Sequence, residues 1–522
     1  MKILTLMPDD IKITAREGQT LLSALGAAGL DVDGSCGGRG VCGKCLATVE
    51  ETGVSGAAGG PAAAPGAPGG RREVLACQYE ITSDLKVWLK NKNDRGGRKA
   101  DVSLPPGFAA DPALQAACRA ARRPLGVAVD LGTTTIVAML WDVVEAELLG
   151  AKGINNPQGA YGADVISRIN FTMQAPENLK ILQGLAVAGI NEAVSSLLAA
   201  SGRREDEIGR FAVVGNTTMS HIFSGTDPRS LAVLPFAPVF TAGREFRAEE
   251  LGLRPAGARV VLLPNVAGHV GSDITAGMLA CGFVGGGQTD EEKAGPAGAD
   301  EKNGRAGADA AAGGAGPALY IDIGTNGEIA LRDGRSLLVC STAAGPAFEG
   351  SRISCGMRAG TGAIEGARMT ENGLKLNVIG EEEGAAPVGI CGSGIIDLVS
   401  ELLNAGLLSS KGKLLSAGGE KFFTVWSGEE TGGEIRLTQK DVREVQLAKG
   451  AIAAGAKILL QKRGLSAADL EAVYVAGAFG SHINLQNAVN IGLLPRVEKT
   501  KLVSAGNAAG QGASMALLSD EF

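Results

Sequence analysis

One motif occurs twice and constrains everything else. VAVDLGTTTIVAML, Val127 to Leu140, is answered by LYIDIGTNGEIALRD, Leu319 to Asp333. In both copies an apolar strand ends on Asp, a Gly-Thr pair turns the chain, and a second apolar strand leaves. A glycine-cornered hairpin of this kind presents backbone N–H groups as a concave nest that suits phosphate oxygens. Gly132 and Gly324 make the corners; Thr133, Thr134, Thr135, Thr325 and Asn326 add side-chain donors. Asp130 and Asp322 stand where a carboxylate can hold Mg²⁺ through water, since that ion prefers oxygen ligands and keeps its hydration. Glu328 lies within reach of the metal or a water. Asp is also an ordinary turn former, but an Asp at the end of an apolar strand, repeated with Gly-Thr, favours a nucleotide site. Two such hairpins facing each other would grip a nucleotide from both sides.

The repetition extends beyond the hairpins. The helix INEAVSSLLAASG leads through an acidic turn to the strand FAVVGNTTM, and AIAAGAKILLQKRG leads through LSAADLEA to VYVAGAFG. VVLLPNVAGHVGSDITAGML then pairs with KLVSAGNAAGQGASMALL. Matched elements in the same order mark an internal repeat, here two halves of domain size. Gly215-Asn-Thr-Thr218 is thereby the counterpart of Gly477-Ala-Phe-Gly480, with either a structural or a cleft-lining role. Gly268, Gly271 and Asp273 precede a small-residue helix, where an acid complements the helix dipole without catalytic duty. Residues 285–318 hold almost no large apolar side chain and cannot offset the entropy of ordering; Gly53 to Gly70 is a second insertion of that kind.

The N-terminal stretch reads differently. Two alternating strands, KILTLMP and DIKITARE, precede a helix at Gly18 to Leu30. Cys36, Cys42 and Cys45 follow in a glycine-rich loop, and Cys77 comes later in LACQYEI. The spacing C-x5-C-x2-C with a remote fourth cysteine is that of plant-type [2Fe–2S] ligation with one extra residue in the first gap. Zinc is the rival, but its ribbons usually carry two CxxC knuckles and only one is present. Gly38 to Cys45 is nearly a phosphate-binding loop, yet it ends on Cys in place of Ser or Thr and contains two of the cysteines. Cys118 reads as an ordinary helix residue, and Cys281, Cys340 and Cys391 lack ligand spacing and read as free thiols, with Cys355 the exception to watch because of its glycine-rich loop; His221, His269 and His482 lack nucleophile or metal spacing and read as core or rim residues, His482 having the alternative of lining the nucleotide pocket. Ser351 and Ser354, in a glycine-rich loop, are candidates for facing a partner's cofactor.

Composition narrows the setting. A net charge of −7 argues against nucleic acid as partner. With 45% hydrophobic but only 4% aromatic residues, the cores must be built from Val, Leu, Ile and Ala. No run of about eighteen apolar residues suggests a membrane span, and the N-terminus does not read as a signal peptide, so a cytoplasmic location is expected.

The duplicated D-x-G-T-[TN] hairpin with the later Gly477–Gly480 turn resembles the actin, sugar-kinase and heat-shock-protein-70 superfamily. Joined to a ferredoxin-like N-terminus, LACQ, Gly345-Pro-Ala-Phe-Glu-Gly350, Ile390-Cys-Gly-Ser-Gly and GNAAGQGA, the whole resembles the reductive activators of corrinoid proteins. The resemblance implies an α+β β-grasp ferredoxin domain (1–94), a linker (95–123), and a duplicated, ribonuclease H-like, actin-like α/β ATPase (124–522). The ATPase lobes are expected at about 124–284 and 319–522. It further implies a [2Fe–2S] cluster on Cys36, Cys42, Cys45 and Cys77, with ATP and Mg²⁺ held by the two hairpins and by Gly477, Ala478, Phe479 and Gly480. Asp130, Asp322 and Glu328 are the expected catalytic carboxylates. The implied reaction passes one electron from the cluster to Co(II) of a corrinoid protein of a methyltransferase system, regenerating Co(I) with the help of ATP. An electron donor of low potential is required, and a homodimer is compatible with the sequence. Two alternatives stay open: a small-molecule kinase with an accessory cluster, and a module in which nucleotide only gates docking. Some members of this family carry a further small domain before the ATPase, for which the connector is too short.

Overall fold

The computed structural model describes residues 1–7, 10–28, 45–52, 71–89, 103–283, 316–334, 336–350, 352–415, 419, 421–428, 433–477 and 483–521. Cys36, Cys42, Ser351, Ala478, Phe479, Gly480, His482 and the stretches 53–70 and 284–315 lie outside these residues.

The N-terminal unit is one mixed sheet with a helix on it. Strands β1 (Lys2–Met7), β2 (Ile11–Ala15), β3 (Leu46–Thr52), β4 (Arg72–Leu75) and β5 (Asp84–Leu89) lie in the order β2-β1-β5-β3-β4. The hairpin partners are antiparallel, and β1 runs parallel to β5. Helix α1 (Leu21–Ala27) buries Leu21, Leu22 and Leu25 against Leu4, Leu6, Val49 and Val87. This is the expected β-grasp arrangement.

Helix α2 (Pro112–Ala120) follows. Asp111 caps it, its side chain accepting from Ala113 N at 2.8 Å, and Pro112 occupies the first turn, where proline's missing N–H costs nothing. Leu114 and Cys118, four residues apart, enter a core with Trp141 and Leu517. This part of the expected connector is therefore packed onto the duplicated α/β unit.

The first lobe contains β6 (Leu125–Leu131), β7 (Thr135–Asp142), β8 (Glu147–Asn155), α3 (Val165–Gln174), α4 (Asn178–Ser201), β9 (Ile208–Gly215), α5 (Thr217–Phe223), β10 (Arg244–Arg247), α6 (Ala248–Leu251), β11 (Arg259–Leu262) and α7 (Ser272–Ala280). Its sheet order is β10-β11-β9-β6-β7-β8. The second lobe holds β12 (Ala318–Ile323), β13 (Gly327–Asp333) and β14 (Ser336–Thr342). A subdomain follows: β15 (Ala363–Thr370), β16 (Gly373–Val378), β17 (Gly389–Ile390), α8 (Gly392–Asn404), β18 (Phe422–Ser427) and β19 (Glu434–Thr438). It then returns through α9 (Gln439–Lys462), β20 (Ala472–Ala476), α10 (Leu485–Asn490), β21 (Leu502–Gly506) and α11 (Ala508–Leu518). The second sheet runs β14-β13-β12-β20-β21. Read against β8-β7-β6-β9-β11, every strand finds its counterpart, so the repeat in the sequence is a repeat in the fold.

Helix α4 is long and apolar enough to cross a membrane, and among the described residues no other helix is. Here it forms a core: Leu182, Ala186, Ile190 and Val194 pack on Val129, Ile136 and Leu140. The two small-residue helices, α7 and α11, lie against each other between the sheets. A side chain at Gly512 would stand 2.1 Å from the carbonyl oxygen of Ala276, so glycine is what lets these helices touch.

Candidate active site

Parallel strands bring the two Asp-Gly-Thr turns to one cleft. In the first lobe Asp130 and Leu131 of β6 align with Val214 and Gly215 of β9. In the second, Asp322 of β12 aligns with Ala476 of β20. Both turns therefore lie beyond the carboxyl ends of parallel strands, the usual place for ligands in open α/β sheets. The hairpins come close enough to touch. Thr134 Oγ1 and Thr325 Oγ1 share a hydrogen bond of 2.9 Å across the lobes. A second cross-lobe bond runs from Asn216 Nδ2 to Glu328 Oε1 at 3.2 Å.

Each hairpin is held from behind. Asn156 Nδ2 donates to the Gly132 carbonyl at 2.8 Å. Arg168, on α3 and only 1% exposed, donates to the Thr133 carbonyl, to Gly162 O at 2.9 Å and to Gln158 Oε1 at 2.8 Å. Burial pulls its pKa down to about 9, against the opposing pull of Asp164 and Glu349. In the second lobe Thr325 Oγ1 donates to Glu349 Oε1, and Gly324 N donates to Asn326 O at 3.1 Å. Thr135 opens β7 and pairs with Asn155. Gly477 sits directly on this turn. Its φ of +109° suits glycine, and a Cβ there would stand 2.4 Å from Ile323 O and 3.0 Å from Asp322 Oδ1.

Four carboxylates face one another here. Burial, then the charges of Asp273 and Asp322, pushes Asp130 up to about 8. Burial and Asp273 push Asp322 up to about 7, while a hydrogen bond from Tyr320 lowers it. Asp273 and Glu328 are raised by burial as well, and Glu328 further by Asp273 and Asp322. Asp130, Asp273 and Asp322 keep part of their surface open to the cleft, while Glu328 is buried. Among the described residues no three Asp, Glu, His or Cys side chains gather tightly enough to hold an ion directly. A cluster of raised, cleft-facing carboxylates suits a cation kept in its water shell, which is how Mg²⁺ binds.

At the other end of the chain, Cys45 and Cys77 come together. Leu46 of β3 pairs with Leu75 of β4, and just past that pair Ala76 N donates to Cys45 O at 2.8 Å. Helix α1 closes over this end, with Leu22 N donating to Ala76 O at 2.8 Å. Cys45 is fully buried and Cys77 is 7% exposed. Both are free thiols. Two thiols buried at one hairpin end fit an iron–sulfur cluster; Cys36 and Cys42 lie outside the described residues. Helix α1 also lies against the single helical turn Pro157–Ala160. That turn begins at Asn156, the residue that holds the first hairpin.

Several participants escaped the sequence reading. Asp273, taken there as a helix-dipole partner, belongs to the carboxylate group. Arg168 and Asn156 brace the first hairpin, and Glu349 braces the second. An arginine among the apolar residues of VISRINF was the available signal. Ser354, a candidate cofactor contact, donates its hydroxyl to Asp441 Oδ1 at 2.9 Å. His221 is a core residue: its Nε2 accepts from Val239 N at 3.0 Å, and its ring stacks on Phe240.

Residues 4–82 match the 2Fe-2S iron-sulfur cluster binding domain, 125–285 the RACo middle region, and 316–522 the C-terminal domain of RACo, the ASKHA domain. A solved structure, the reductive activator for corrinoid,iron-sulfur protein, is 30% identical, superposes with a TM-score of 0.68, and aligns over 100% of this chain and 93% of its own. The chain belongs to the family of reductive activators of corrinoid proteins. The chain is also similar to the corrinoid activation enzyme RamQ of Eubacterium limosum, 28% identical over 100% of this chain and 93% of its own length. The [Co(II) methylated amine-specific corrinoid protein] reductase of Methanosarcina barkeri is 27% identical over 73% of this chain and 68% of its own.

Proposed function

We propose that the chain is an ATP-dependent electron-transfer enzyme that returns the Co(II) corrinoid of a partner protein to Co(I). The observation that carries this is the contact between Thr134 and Thr325, one from each lobe, in a chain that also bears a ferredoxin unit with two cysteines buried at one hairpin end. A single polypeptide thus joins a two-lobed phosphate clamp to a redox site. Cys36, Cys42, Cys45 and Cys77 would hold a [2Fe–2S] cluster. When bound, the cluster supplies the single electron by which Co(II) becomes Co(I).

The chain's own residues do the rest. The hairpin hydroxyls and N–H groups would bind the phosphates, Asp130, Asp322 and Glu328, with Asp273, would hold hydrated Mg²⁺, and Gly477, with Ala478, Phe479 and Gly480 of the same motif, would take the adenosine. Nucleotide can shift the lobes only by binding one arrangement better than another. Helix α1, resting on the turn that follows Asn156, gives such a shift a physical path to the ferredoxin unit. The partner is a corrinoid protein of a methyltransferase system, in the cytoplasm, and a low-potential donor must reload the cluster.

The test is an anaerobic absorbance titration of the reduced full chain against a Co(II) corrinoid protein, with and without Mg-ATP. Growth of the Co(I) band only with Mg-ATP is expected. A visible cluster spectrum with no Co(I) from the corrinoid proteins of the organism's methyltransferase systems would refute the reading.

A further inference from the structure

Glu349 is the most unusual side chain in the cleft. It lies in Gly345-Pro-Ala-Phe-Glu-Gly350, just beyond β14, and is only 7% exposed. One carboxylate oxygen, Oε1, accepts from the Thr325 hydroxyl of the second hairpin. The other, Oε2, is buried with no hydrogen-bond partner among the described residues. A buried carboxylate oxygen left unpaired is costly, and such an exception calls for a water, an ion or a catalytic duty. The Thr325 hydroxyl that fixes Oε1 is the same one that meets Thr134 across the cleft. Glu349 is therefore aligned by one oxygen on the point where the two phosphate hairpins converge, and free at the other. Arg168, behind the first hairpin, is near enough to sense its charge. A water within hydrogen-bond reach would satisfy Oε2.

We infer that Glu349 holds and deprotonates the water that attacks the γ-phosphate of ATP. This rests on the ATP-dependent reading above and adds a catalytic base to it. The water oxygen bonds to the γ-phosphorus, and the bond from that phosphorus to the β–γ bridging oxygen breaks. ADP leaves with the electron pair, and the proton passes to Glu349 Oε2 and then to solvent. Thr325 is the positioning residue, because its O–H locks the carboxyl plane.

The experiment compares the full chain with Glu349→Gln, which keeps shape and one acceptor but cannot take the proton. Equilibrium binding of radiolabelled ATP with Mg²⁺ is measured beside single-turnover hydrolysis. The expected result is unchanged affinity, within about threefold, and hydrolysis slower by ~100-fold or more. Hydrolysis within about threefold of wild type overturns the assignment; so does a loss of Mg-ATP affinity that accounts for the loss of rate, which would make Glu349 a metal or phosphate contact. Should Glu349→Gln not fold, Thr325→Val must slow single-turnover hydrolysis at saturating Mg-ATP by more than it weakens Mg-ATP binding, or the assignment falls. A wild type that forms Co(I) with ATP but hydrolyses none removes Glu349's role and leaves the electron-transfer reading intact. A wild type that hydrolyses ATP through Glu349 yet yields no Co(I) does the reverse.

Discussion

Asp130→Asn should stabilise the nucleotide-free chain increasingly as pH rises, while reducing the stabilisation that Mg-ATP confers. The Asp130 carboxyl, with an ordinary value near 3.8, is raised to about 8 by burial and by its acidic neighbours. The unfolded chain releases this proton near pH 4, and the folded chain keeps it until about pH 8. Between those limits the unfolded state binds fewer protons, so stability falls as pH rises. A full proton changes stability by about 1.36 kcal/mol per pH unit, or roughly 2 kcal/mol between pH 6 and pH 8. Asp130 keeps some surface open to the cleft, and solvent there reduces the effect to about 1–2 kcal/mol. Asn cannot ionise and loses this slope. Its advantage over wild type should therefore grow by ~2–8 °C in Tm between pH 6 and pH 8. Thermal unfolding of both proteins at the two pH values, with and without Mg-ATP, measures it. Parallel pH profiles, or a mutant that loses ground at pH 8, would refute the claim that Asp130 is held against repulsion until a cation arrives.

Two further outcomes follow from packing and from the cysteine pair. Gly512→Ala sets a methyl 2.1 Å from a backbone oxygen of α7, so it should cost about 3 kcal/mol and lower Tm in a thermal scan; an unchanged Tm would mean the helices are not pressed together. Cys77→Ser should abolish the visible [2Fe–2S] absorbance without weakening Mg-ATP binding. Equal zinc content and no visible absorbance in the wild type would assign the cysteines to zinc instead.

The parts visible in the sequence were those written locally or twice. The hairpins at Asp130 and Asp322, the strand-glycine turns and the paired helices α7 and α11 all repeat, and the matching sheet orders follow from that repetition. The β-grasp unit showed itself through alternation and cysteine spacing. Residues that act across the fold were harder to see. Asp273 has the local signature of a helix-start acid, and only the meeting of two lobes sets it beside Asp322. Arg168 is separated by 35 positions from the Thr133 carbonyl it holds. Glu349 stood inside a family-like motif, but nothing in its neighbours predicts that one oxygen would be tied and the other unpaired. Helix α2 was read as connector because its buried positions, Leu114 and Cys118, are few.

The cross-lobe bonds also set the scale of what a nucleotide can do. Among the described residues, Thr134 to Thr325 and Asn216 to Glu328 are the direct side-chain ties between hairpin and opposite lobe at the cleft. Each neutral bond is worth about 1 kcal/mol net and one to a charged group about 1.5–3. On the proposed nucleotide reading, a phosphate at the first hairpin would compete for the Thr134 hydroxyl, the donor to Thr325, and a cation for Glu328. Exchange of these two ties can thus bias the lobe arrangement by a few kcal/mol, the range of ordinary coupling between sites. The bias has a defined route outward. Thr133 and Gly132 are tied to Arg168 and Asn156, those residues frame the turn Pro157–Ala160, and α1 rests on that turn beside the strand end that carries Cys45 and Cys77. Motion of the first hairpin is therefore not confined to the cleft, and a cluster held at that strand end would feel it through packed backbone.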